Sequence, residues 1–348
     1  SHYSAMSGTL DVMKYLWMKG AINLTNQGKE TTPLCVACLY GSLNIVKFFF
    51  ETADLKNEIV SMKDVFYENK KTTIFHMACE GGHADILEYI LTIKEYAKKQ
   101  VNKLDHKSRT PLNVACQNGS LNCVKLLINV GKVNINGSSK KHISLIDAVE
   151  GGHADIVTFL LQLGVDINIK NSNNMTALEV AIINCHLDVM KILIQNDATK
   201  YWDVQKIGKL FLLACGGYDI NIIEYLDQIF DIPYQSMGDM FVKQACRIEN
   251  ENLISFLMEK NCSLNCLDAN DFSLKAGWNP FMTFMQKKGL DFSQIYLESG
   301  KPMIVNAMKR NCLQLARDLI LSEGEKFNVE TIYTYNLIEL ACHEGELN

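Results

Sequence analysis

Two strings in this 348-residue chain have the composition of a chemical site. Glu-Gly-Gly-His-Ala-Asp-Ile occurs at Glu80–Ile86 and again at Glu150–Ile156. His83 with Asp85, or His153 with Asp155, could serve as an acid/base or metal pair. Cys35 and Cys38 have the Cys-x-x-Cys spacing of a zinc or redox site, and Cys262 and Cys266 form a second close pair. Each reading fails on geometry or on missing partners. Residues two apart on a helix point in different directions. No second pair completes four ligands around Cys35 and Cys38, and Cys262 and Cys266 lack a matching His pair. The chain has no Gly-rich nucleotide loop ending in Gly-Lys and no Gly-x-Ser-x-Gly elbow. The expectation is no catalytic residue, no metal, no cofactor and no small-molecule substrate.

The elements that carry these residues explain them better. Ala-Cys occurs six times, at Ala37-Cys38, Ala78-Cys79, Ala115-Cys116, Ala214-Cys215, Ala245-Cys246 and Ala341-Cys342. Gly follows three residues after the Cys at Gly41, Gly82, Gly119 and Gly345. Aligned on that slot, the equivalent positions are Gly8, Gly41, Gly82, Gly119, Gly152, Cys185, Tyr218, Glu249, Gly277, Asn311 and Gly345. The base step is 33 residues, lengthened twice early on. The longest insertion falls within Glu51 to Thr72. A fixed step of this size means stacked units, each too small to bury a core alone. Both Glu-Gly-Gly-His strings sit at one phase of the step, so the His serves the turn between helices through backbone hydrogen bonds.

Each unit opens on a turn signal, clearest at Thr32-Pro33-Leu34 and Thr110-Pro111-Leu112. Thr caps and Pro fits the first helical turn. A short apolar helix follows, then Gly119 for a left-handed turn. A second helix carries Leu121, Val124, Leu127 and Ile128 at i, i+3, i+4 spacing and ends near Gly131. Val133-Asn134-Ile135 then extends toward a polar turn.

These residues resemble the ankyrin repeat family. The carriers are Thr110-Pro111-Leu112-Asn113-Val114-Ala115-Cys116 with Gly119 and Val124-Lys125-Leu126-Leu127. Phe75-His76-Met77-Ala78-Cys79 with Gly82-His83, and Gly164-Val165-Asp166-Ile167-Asn168, add to them. Asp105 to Leu112 matches the family's hairpin tip except at Ser108, where Gly is usual. Cys35 stands in the slot usually held by His, and His76 occupies that slot as a bridge between neighbouring turns. The resemblance implies an all-α ankyrin-repeat solenoid of helix-turn-helix units with short β-hairpin arms. About ten units at ~10 Å each would span roughly 100 Å. Residues 1–200 follow the pattern closely, and 201–348 follow it in degenerate form. His2–Gly8 is the middle of a unit and Asn348 falls where a second helix should begin, so a fragment of a longer chain is expected.

Composition sets further bounds. The chain is 48% apolar and 21% charged, with a net charge of −5, which is ordinary for a folded soluble protein. No apolar run is long enough to insert in a membrane. Twelve cysteines in a large chain, six of them in one shared helical core slot, fit a reducing, intracellular and cytoplasmic setting better than a disulfide scaffold.

The family implication for function is protein binding on the concave face formed by hairpin tips and first helices. Three consecutive tips are basic: Lys70 and Lys71, then His106, Lys107 and Arg109, then Lys140, Lys141 and His142. Leu39, Tyr40, Gln117 and Asn118, with Glu150, Ile183 and Asn184, belong to the same groove. The expected role is a non-catalytic scaffold or adaptor that holds another protein, one with an acidic surface. A cytoskeletal or other filamentous assembly, and the repeat region of a multidomain enzyme or adaptor active elsewhere, stand as alternatives. Nucleic acid is not expected, because the basic row lacks interleaved aromatics and the net charge is negative.

Overall fold

The computed structural model describes residues 1–21, 32–52, 72–131, 133–136, 142–200, 202–217, 219–272, 280–292, 295 and 303. The chain divides into two compact units, Ser1–Lys200 and Tyr201–Asn348. The described residues are helical, with an isolated antiparallel bridge between Lys170 and Thr176. The arms expected as β-hairpins are therefore tight turns here rather than strands.

In the first unit the helices come in pairs. They are α1 (His2–Ser7) with α2 (Leu10–Met18), α3 (Pro33–Tyr40) with α4 (Leu43–Glu51), and α5 (Ile74–Glu80) with α6 (Ala84–Thr92). After an extra helix α7 (Lys94–Gln100) come α8 (Pro111–Gln117) with α9 (Leu121–Asn129). Then follow α10 (Ser144–Glu150) with α11 (Ala154–Gln162), and α12 (Ala177–Ile183) with α13 (Leu187–Gln195). First helices pack on first helices, in the order α1, α3, α5, α8, α10, α12. Second helices do the same, in the order α2, α4, α6, α9, α11, α13.

Local chemistry starts the α3 and α8 pairs as the sequence predicts. The Thr32 hydroxyl accepts from the Cys35 N–H at 3.3 Å. Thr110 and Thr176 close reciprocal caps with Asn113 and Glu179. The slot between the two helices is left-handed at every described position: Gly8, Gly41, Gly82, Gly119, Gly152, Cys185 and Glu249. A side chain in that conformation costs roughly 1–2 kcal/mol, which explains five glycines among these seven. A second left-handed anchor lies twelve residues later, at Gly20, Gly164, Asp197, Asn261 and Gly289. Gly131 holds the same phase without positive φ; there a Cβ would lie 2.7 Å from the Leu127 carbonyl oxygen.

Helix α7 accounts for the second lengthened step, the one between Gly82 and Gly119. It buries Tyr96, whose ring lies 5.7 Å from Phe50 and 6.2 Å from Phe75. The longer insertion within Glu51–Thr72 lies outside the described residues apart from its ends.

The second unit keeps paired helices but lengthens them. It holds α14 (Val204–Cys215), α15 (Ile220–Ile229), α16 (Tyr234–Arg247), α17 (Glu251–Glu259) and α18 (Pro280–Lys287). Phe211, Tyr234 and Phe241 form its aromatic centre, with Phe211 and Phe241 4.9 Å apart. The Tyr234 hydroxyl donates to Asp227 at 2.6 Å, and Lys260 Nζ meets the other oxygen of that carboxylate at 2.6 Å. Lys243 with Asp268, and Arg247 with Asp271, fasten the segment after α17 back onto α16.

Candidate functional site

The Glu-Gly-Gly-His strings are stacking devices. His83 Nε2 lies 3.0 Å from the Leu39 carbonyl oxygen. His153 reaches the Gln117 carbonyl at 3.0 Å, and His186 the Glu150 carbonyl at 3.1 Å. Each ring starts a second helix and reaches back to the end of the preceding repeat's first helix. The glycines make room for it. A Cβ on Gly41 would lie 2.5 Å from the His83 ring, and one on Gly119 would lie 2.5 Å from the His153 ring. Asp85 and Asp155 take no part in these contacts.

A second set of bridges runs from first helices to the next repeat. His76 Nδ1 accepts from the Thr73 N–H at 3.1 Å, so its Nε2 carries the proton and donates to the Arg109 carbonyl at 3.0 Å. Burial lowers the His76 pKa to about 4, against partial support from the Arg109 backbone bond and the Asp105 charge. In the next repeat the Asn113 amide donates to the buried Asp147 carboxylate at 2.6 Å. Burial pushes the Asp147 carboxyl up, opposed by His142 and Asn113.

The tip ahead of α8 is built around Asp105. Its Oδ1 accepts from the Lys107 and Arg109 N–H groups, each at 2.8 Å. Its Oδ2 receives Arg109 Nε at 2.9 Å and Nη2 at 2.8 Å. Burial alone would raise this carboxyl, but the Arg109 backbone, guanidinium and charge hold it below the usual range. Ser108 takes φ 66°, the strained position where a glycine is usual. Asn171 repeats the design, accepting from Asn173 and Met175, with Asn174 at φ 60°.

The tip residues differ in availability. His106 and Lys107 are exposed. The reading of Arg109 as an exposed tip is corrected: its side chain is 15% accessible, locked to Asp105 and donating from Nη1 to the Gln117 amide oxygen at 2.9 Å. His142 is also held in, with Nδ1 3.2 Å from Asp147 Oδ1. Lys70, Lys71, Lys140 and Lys141 lie outside the described residues. On the first helices Tyr40 is 54% exposed, Asn118 is exposed, and Leu39 and Gln117 are half-buried. Glu150, Ile183 and Asn184 are exposed at equivalent phases.

Four of the expected residues meet. A cleft of about 210 Å³ is lined by Leu39, Thr72, Met77, Glu80, His106, Lys107 and Arg109. It draws on three successive repeats: the end of α3, the start and end of α5, and the tip before α8. Sequence reasoning missed Glu80 and Met77 here. The phase of Glu80 matches that of Leu39 and Gln117, which was the available signal. Tyr40, Gln117, Asn118 and His142 do not line this cleft.

The cysteines are core groups. The ten in described residues are free thiols, seven of them buried. Burial raises Cys35 to about 11 and lifts Cys38 and Cys116 well above the ordinary thiol range. Such thiols are poor nucleophiles. Among the described residues no group of three or more His, Cys, Asp and Glu is placed to hold a metal ion. No described helix is long and apolar enough to cross a membrane.

The family model described as ankyrin repeats matches residues 1–103, 57–138, 75–171 and 132–203. Alpha-latrocrustotoxin-Lt1a of Latrodectus tredecimguttatus is 28% identical over 180 residues, which is 49% of this chain and 12% of that one. An ankyrin repeat protein of Acanthamoeba polyphaga mimivirus is 25% identical over 282 residues, 74% of this chain and 68% of that one. The solved ankyrin repeat domain of human ASB11 covers 57% of this chain and 83% of its own, with 23% identity and a TM-score of 0.45. The chain thus spans only a small part of the toxin it matches.

Proposed function

The chain belongs to the ankyrin-repeat family, whose repeats generally bind other proteins, and from that premise we propose that it is a non-catalytic scaffold or adaptor holding a partner protein at the cleft between α3, α5 and the tip before α8. The observation that carries the reading is the meeting of Leu39, His106, Lys107 and Arg109 with Glu80 around one opening. Caps, turn bonds and bridges fix the residues around it, so little ordering entropy is lost on association. Leu39 and the nearby exposed ring of Tyr40 supply apolar contact. Lys107, with Nζ free to move on an exposed stem, supplies charge that steers an acidic surface toward the cleft. Arg109 shapes the tip through Asp105 rather than meeting the partner as a free cation. Lys70, Lys71, Lys140 and Lys141 extend the same proposed row, and Gln117, Asn118 and His142 flank it.

Cysteines placed in the helical core of a large chain are the basis for proposing a reducing, cytoplasmic compartment. A second reading is favoured by the 12% coverage of the toxin: the chain is the repeat region of a larger protein whose activity, catalytic or structural, lies elsewhere. A photo-crosslinker at position 107 tests the first reading, with one at Lys125 on α9 as the comparison. Capture of a defined partner from 107 and not from 125, weakened by added salt, supports it. Equal capture from both positions sinks it.

A further inference from the structure

Helix α7 brings charge as well as its Tyr96 anchor. It follows the α5–α6 pair as an extra element and opens a basic stretch. Residues 94–109 hold six Lys and Arg against two carboxylates, in a chain whose net charge is −5. One of those carboxylates, Asp105, is already taken up by Arg109. The helix is sharply sided. Tyr96, Ala97, Gln100 and the adjoining Val101 are buried, while Lys94, Glu95, Lys98 and Lys99 are exposed. Helix chemistry accounts for part of this pattern. Lys98 and Lys99 stand in the last turn, where a cation is favoured. Lys94 stands in the first turn, where a cation is disfavoured, and it neighbours Lys98 at i, i+4.

Lysines elsewhere in the chain are engaged. Lys47 lies over the Tyr89 ring and Lys125 over the Phe159 ring, while Lys260 meets Asp227. Among the described residues, no carboxylate pairs with Lys94, Lys98 or Lys99. We propose that the outer face of α7, carrying these three lysines, is a docking surface for an acidic segment of another protein. Charge complementarity carries the assignment. Seven residues make a face about 10 Å long, enough for a few carboxylates. The face presents no exposed aromatic or large apolar side chain, so it has nothing to stack on bases or to sink into a bilayer. It also lacks Arg, whose planar fork suits phosphate. None of the three lysines lines the cleft between α3, α5 and the tip before α8, so this is a second surface.

Fluorescence anisotropy of a short labelled peptide of alternating Glu and Ala tests this on the whole 348-residue chain at low salt. The parent should bind, and Lys94→Gln, Lys98→Gln and Lys99→Gln together should weaken binding about tenfold. Lys14→Gln, Lys170→Gln and Lys209→Gln remove the same charge from exposed positions elsewhere, and together they should change affinity by less than about twofold. Glu95→Gln removes the one carboxylate of the face and should tighten binding about twofold. A gain of affinity cannot come from misfolding, so this variant keeps its meaning whatever the triple variants do. The proposal is overturned if the parent does not bind the peptide, if the two triple variants lose affinity alike, or if Glu95→Gln weakens binding. It is overturned as well if oligo(dT) or phosphatidylserine vesicles bind more tightly than the peptide and depend on the same three lysines. The occupant would then be a nucleic acid or a membrane.

Discussion

At the scale of single residues, the most consequential group is His76. It is buried, neutral and shared between two repeats. Its folded pKa of about 4 lies below the ordinary 6.5. The fold therefore disfavours the charged ring. This contribution is complete above pH 6.5 and is lost as pH falls toward 4, at up to ~1.4 kcal/mol per pH unit. The urea midpoint of the parent should drop across that window, and His76→Gln should flatten the drop. Parallel curves for the two proteins would show that other groups carry the acid sensitivity. Ser108 allows a test of opposite sign. It holds a left-handed backbone that glycine adopts without strain, so Ser108→Gly should stabilise the chain by ~1 kcal/mol. An unchanged or lower melting temperature would contradict that account of the tip.

At the scale of the element, the turn and the tip are each held by one crowded contact. Adding a Cβ at Gly119 would combine left-handed strain with a collision against the His153 ring at 2.5 Å. Gly119→Val should lose ~2 kcal/mol or more, beyond the strain alone. Thermal melting checks it, and a loss no greater than that of a surface substitution would remove the ring from the argument. The tip depends in the same way on Asp105. Arg109→Glu places a second carboxylate against it and breaks three bonds, so a loss of ~2 kcal/mol is expected. Lys107→Glu, on an exposed side chain of the same turn, should stay within ~0.5 kcal/mol. The pair separates folding from binding at this tip. If both variants melt alike, the Asp105 network does not hold the turn.

At the scale of the whole chain, the two compact units set the expectation. Stability of stacked repeats is roughly the sum of each repeat and its neighbours' interfaces. Residues 1–200 alone should therefore fold cooperatively, with helical circular dichroism and a single urea transition. A non-cooperative transition would mean that the first unit depends on residues after Lys200.

The sequence by itself determined the repeat, its step and its turns. The slot at Gly8 to Gly152 recurs in residue type because positive φ selects glycine, and that selection is visible without a structure. It also placed Glu249, a non-glycine, in the same left-handed slot by counting alone. Thr caps were legible for the same reason, since they act within four residues. Only the tertiary structure decided what the histidines reach, because the Leu39, Gln117 and Glu150 carbonyls lie a whole repeat away in the chain. It decided that Arg109 is locked while Lys107 is exposed, a difference set by packing against Gln117 and not by residue type. It supplied α7, whose short Tyr96-centred face is stable only against Phe50 and Phe75. Glu80 and Met77 entered the cleft on the same terms: local rules fix where a side chain starts, and stacking fixes what it meets.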